Sequence, residues 1–260
     1  MVPGQIKAES NPFCGVKGFP TESQMAASVK ALPKEVRGKC IGDGTDLMPA
    51  VGPGQVIKCS IEHGKWRFLS FTDTYSVCDS KGDPLAGGVY IKEVSNKLLG
   101  MDRIVMHDCK DKPICLAVRD KIALTNRYNI YGTGPLLPDD KAEMKEKDVD
   151  FYPWFRVRDI DDSHLDHRSI LVWNGNNFQP MLKIVAARRL PGSLNDDLVP
   201  PRKGDNLVCD LNDPTIVHAL LSKTSEKNIA GWKLCIAPGT DPMAMIMLAA
   251  IMDKMVGWLG

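Results

Sequence analysis

The sequence predicts a mainly β protein, a closed antiparallel barrel built around one apolar helix. Three observations lead there. From Gln55 onward, short runs rich in Val, Ile, Phe, Tyr, Trp and Thr alternate with turn residues, which marks successive short strands. An Asp-led turn recurs between these runs. The stretch from Met243 to Met252 is apolar on every side, so it has to be surrounded. Strand spacing alone fits a barrel or a sandwich rather than alternating βαβ units. Repeated hairpins and a helix that needs enclosing favour the barrel.

Residues 1–54 are broken by Pro3-Gly4, Asn11-Pro12, Pro20, Pro33, Gly42-Asp-Gly44, Pro49 and Gly52-Pro-Gly54. They read as an irregular, partly disordered extension with room for one short helix at Gln24–Leu32. Residues 55–260 form the domain. Its candidate strands are Gln55–Ile61, Arg67–Phe71, Thr74–Cys78, Gly88–Glu93, Arg103–His107, Ile114–Val118, Lys121–Leu124, Tyr128–Tyr131, Trp154–Asp159, Ser169–Trp173, Met181–Ala186, Leu207–Cys209, Thr215–Leu221 and Trp232–Ile236. Pro135–Asp150 is rich in Asp, Glu and Lys and reads as a solvated loop, with a short helix possible at Asp139–Lys147. Pro191–Asp205 reads as a second exposed loop.

The recurring turn has physical content. Tyr75–Leu85 and Val105–Ile114 each end a β-like run with Asp, at Asp79 and Asp108. A residue that tolerates positive φ follows three positions later, Gly82 or Asp111. Asp can bond its own backbone two residues on, and the positive-φ residue closes the hairpin. Asp210 begins a weaker third copy, with Asp213 at the closing position.

The helix predicted over 242–257 opens with Asp241 as N-cap and Pro242 at the first helical position. Gly257 is its stop. At roughly 24 Å it falls short of a bilayer's hydrocarbon core. Ile246, Leu248 and Ile251 are its expected core contacts, and its methionines suit an irregular lumen.

The segments Arg103–Arg119, Tyr128–Gly132 and Gly231–Asp241 resemble the LURP-one-related family of the tubby C-terminal-like superfamily, which includes the phospholipid scramblases. The resemblance spans about residues 55–260. It implies a barrel of about twelve strands with the C-terminal helix threaded through it. Asp111 stands where the family usually has Gly, and Asp tolerates the left-handed region next best after Gly and Asn. The resemblance implies a non-enzymatic adaptor or regulator that binds an anionic membrane lipid, phosphoinositide-like, or a protein partner. The alternative it raises is a scramblase-like protein with the helix in lipid.

Chemistry is sparse. No nucleophile elbow, phosphate loop or complete dinucleotide fingerprint is present, and neither an enzyme nor a cofactor is expected. A net charge of +1 gives no sign of nucleic acid as partner. Eight scattered cysteines without zinc spacing, and no leader-like start, suggest a reduced, cytoplasmic protein; the resemblance implies one peripheral to a membrane, and a monomer is expected. Asp161, His164 and His167 are weak candidates for a transition metal; an acidic solvated turn is the simpler reading. The binding candidates are basic. Arg156 and Arg158 share a face if their segment is a strand. Arg119, Lys121, Arg188 and Arg189 complete the set proposed for an anionic headgroup.

Overall fold

A computed structural model describes residues 8–10, 55–63, 74–79, 81–84, 88–96, 101–108, 110–120, 127–135, 138–162, 167–174, 180–186, 205–212, 217–224, 231–237, 240 and 242–256. The fold is mainly β, an antiparallel sheet of twelve main strands with one C-terminal helix.

In chain order the strands are β1 (Ala8–Ser10), β2 (Gln55–His63), β3 (Thr74–Asp79), β4 (Tyr90–Asn96), β5 (Met101–His107), β6 (Pro113–Arg119) and β7 (Arg127–Gly132). There follow β8 (Met144–Glu146), β9 (Val149–Asp162), β10 (His167–Asn174), β11 (Pro180–Ala186), β12 (Asp205–Asp210), β13 (Val217–Thr224) and β14 (Gly231–Ile236), then helix α1 (Pro242–Val256). The sheet runs β2-β14-β13-β12-β11-β10-β9-β7-β6-β5-β4-β3. β2 also pairs with β3, from Cys59 opposite Asp79 to His63 opposite Tyr75. β1 adds to β2 through Ala8–Ile57, so part of the expected irregular extension is a strand.

Alternation along the strands sets the core. Cys59 and Ile61, Val77, Ile91, Ile104 and Met106, Ala117, Ile130, Val157, Ile184, Val208, Leu221 and Leu234 join α1 in one apolar cluster. Ile246, Leu248 and Ile251 are each no more than 1% exposed, and every methionine of α1 is buried with them. The helix is enclosed by protein, and among the described residues no helix is long and apolar enough to cross a membrane. Pro242 opens α1 as expected; Asp241 lies outside the described residues.

The Asp-led turns are confirmed in detail. Asp79 Oδ1 accepts from the Lys81 and Asp83 amides at 2.8 and 3.0 Å, and Gly82 has φ 83°. Asp108 Oδ1 accepts from the Lys110 and Lys112 amides at 2.9 Å each, and Asp111 has φ 63°. In the third copy Asp210 Oδ1 accepts from the Asn212 amide at 2.8 Å; Asp213 lies outside the described residues.

The structure corrects the reading of Pro135–Asp150. It is not a plain loop, and Asp139–Lys147 is not helical: Met144–Glu146 is a strand paired with Val149–Phe151 of β9. Lys147 and Asp148 close that hairpin, both at positive φ (46° and 64°), the pattern of a two-residue hairpin turn matched to strand twist. Met144 and Val149 pack on Val105, Leu116, Tyr131 and Phe151, a second apolar cluster on the sheet face turned away from α1. The apolar pair Met144 and Val149 outweighs the charged neighbours that made the segment read as loop. The expected strands Arg67–Phe71 and Lys121–Leu124, the helix Gln24–Leu32 and most of the loop Pro191–Asp205 lie outside the described residues.

Candidate anionic-ligand face

Arg156 and Arg158 both lie on β9, on either side of the buried Val157. Val157 belongs to the helix cluster, so the two arginines turn to the opposite face. The face they share, expected on condition of a strand, is therefore formed. Register supplies their neighbours. Arg158 stands opposite Arg127 of β7, and Arg156 opposite Asn129. Asn129 in turn faces Val118 of β6, and Val118 faces Arg103 of β5. A row from Arg103 to Arg156 thus crosses four strands on one face, about 14 Å at ordinary strand spacing.

Arg127 and Arg158 place two guanidiniums directly across neighbouring strands, where like charges repel. Arg127 Nη1 reaches Asp120 Oδ2 at 3.4 Å. Arg158 Nε and Asn129 Oδ1 are buried without a hydrogen-bond partner among the described residues. Arg103 Nη1 meets Glu146 Oε2 at 3.0 Å. Tyr131 is within hydrogen-bonding reach of Glu143 and Asn129, and burial with the nearby Glu143 charge pushes its hydroxyl pKa up.

Arg119 departs from this grouping. It stands opposite Tyr128, which belongs to the helix cluster, so it falls on the other face, at the strand end. There Arg119 Nη1 pairs with Asp102 Oδ2 at 3.3 Å. Lys121, Arg188 and Arg189 lie outside the described residues. So does His164, while Asp161 and His167 are placed only by backbone: Asp161 pairs with Arg168, and His167 with Asp162. Among the described residues no three His, Cys, Asp or Glu side chains gather to hold a metal ion.

A second polar cluster clips the hairpin tips together. Asp111 Oδ2 receives Lys147 Nζ at 2.6 Å, and its Oδ1 accepts from the Tyr90 hydroxyl and from Lys92 Nζ at 3.2 Å. Lys147, Tyr90 and Lys92 hold the Asp111 carboxyl well below the usual carboxylate range. Tyr90 stacks on His107 with centroids 5.0 Å apart. His107 is buried, and that burial, with Lys92 nearby, pulls its pKa down to about 4. Carboxylate and lysine saturate each other here, so the cluster is a fastening rather than an open site.

Comparison with protein-family models and with curated proteins finds no match to this chain.

Proposed function

We propose that this chain is a tubby-like, LURP-one-related protein that docks on anionic phospholipid headgroups through Arg127, Arg156 and Arg158, and that it works as an adaptor rather than an enzyme. The observation that carries the reading is the Arg127–Arg158 pair. Two directly opposed cations have Asp120 on one of them, and Arg158 Nε is buried without a partner among the described residues. A phosphate offers the missing acceptors, and the guanidinium fork suits it. In this reading the sheet closes as a twelve-stranded barrel around α1. The two ladders of β2, one with β14 and one with β3, support closure.

The scramblase-like alternative would need α1 to leave the apolar cluster that buries its whole circumference. No observation favours that exit.

Vesicle co-sedimentation tests the proposal. The wild type should bind phosphatidylcholine vesicles carrying phosphatidylinositol bisphosphate, and increasingly weakly as salt rises. Arg156→Ala/Arg158→Ala should weaken binding about 30-fold, at ~1 kcal/mol per cation near the surface. Equal binding by the double variant would remove these arginines from the site. No binding by the wild type would turn the search to a protein partner.

A further inference from the structure

We infer that the β8–β9 hairpin is a built-in competitor of the anionic ligand, seated on the face that the ligand would use. This rests on the lipid-docking reading and adds its regulation. Residues 138–150 hold six acidic and three basic side chains, a net charge of −3. β8 pairs with β9 and stands off the path of the main sheet. Met144 and Val149 lie over Val105, Leu116 and Tyr131, the apolar strip next to the row that runs from Arg103 to Arg156.

A hairpin carboxylate meets that row at its Arg103 end. Glu146 holds Arg103 at 3.0 Å. Glu143 reaches the hydroxyl of Tyr131, in the apolar strip beside the row. The tip is fastened separately, by Lys147 on Asp111 at 2.6 Å. The Arg103 and Glu146 side chains keep 29% and 28% of their surface exposed. Partly solvated pairs of this kind contribute little each and yield to a competing anion. A phosphorylated headgroup that takes Arg103 displaces Glu146 and loosens the hairpin that Glu143 also holds to Tyr131. The apolar strip beneath the hairpin then becomes available to the interface. Linkage is reciprocal: whatever holds the hairpin down weakens headgroup binding by the same factor.

The test uses the full chain and phosphatidylcholine vesicles with phosphatidylinositol bisphosphate, at physiological salt. Glu146→Gln and Glu143→Gln should each tighten binding about five- to tenfold. Asp139→Asn, which removes the same charge at the hairpin's base, should leave binding unchanged. Equal tightening by all three would replace competition with bulk charge and overturn the inference. Unchanged or weaker binding in both glutamate variants would overturn it too. If binding still falls in Arg156→Ala/Arg158→Ala, the docking reading survives that result. Binding by neither wild type nor variants would overturn both. A second readout needs no variant: hydrogen exchange at Met144–Glu146 should speed up when vesicles bind, and unchanged exchange there contradicts displacement.

Discussion

Single residues decide the tightest points of the molecule. A Cβ on Gly132 would sit 1.9 Å from the Trp154 ring, whose Nε1 donates to the Gly134 carbonyl at 2.8 Å. Gly132→Ala should therefore destabilise by about 1–3 kcal/mol, as overpacking does, measured by denaturant unfolding. Gly82 has open space around it but φ 83°, so Gly82→Ala costs only backbone strain, roughly 1 kcal/mol. Two buried histidines set the pH response. Burial holds both His107 and His218 down at about 4, against an ordinary 6.5. The unfolded chain binds these protons first, so their contribution is complete above pH 6.5 and is lost as pH falls towards 4. Unfolding midpoints should drop across that window, and His218→Gln should flatten the drop. A flat profile in the wild type would contradict this. Some of this scale was legible in sequence. Asp79, Gly82, Asp108 and Asp111 act through hydrogen bonds two to four residues away, which local spacing reveals. The burial of His107 and the approach of Trp154 to Gly132 depend on strands that meet only in the fold.

Among the elements, the hairpins and the helix behave as their local chemistry requires. Asp79 and Asp108 make the same two amide contacts, but Asp108 is fully buried and Asp79 is not. Asp108→Ala removes a fully buried carboxylate that accepts from two part-buried amides and should cost about 2–3 kcal/mol; Asp79→Ala, open to water, should cost about 1. Comparison of the two unfolding curves checks this ordering. Leu248→Ala in α1 should cost about 2–5 kcal/mol, because a helix enclosed on all sides cannot collapse into the gap. The helix was readable because it lacks a polar face. β8 was not: Met144-Lys-Glu146 is three residues long, two of them charged, and only its packing on Tyr131 and Leu116 makes it a strand. Nor could sequence bring Arg127 beside Arg158. That juxtaposition arises because β7 pairs with β9 past the intervening hairpin. Arg119 shows the converse. Its charge matched the predicted set, yet one register position puts it on the opposite face.

At the scale of the whole molecule, inside and outside do different work. The apolar helix and the inward residues of the main strands build the core. The outward row, from Arg103 across Asn129 to Arg156, carries the binding in the proposed function. Composition could not show this division, since a net charge of +1 averages an acidic hairpin with the basic row beside it. The central claim is that α1 stays within the protein while ligands act on the exterior. Hydrogen exchange at the Met243–Met255 amides, without and with phosphatidylinositol bisphosphate vesicles, tests it most directly. The account predicts slow exchange in the lipid-free protein and no change when vesicles bind. Fast exchange without lipid, with protection gained only on vesicles, would contradict it and place the helix in the bilayer.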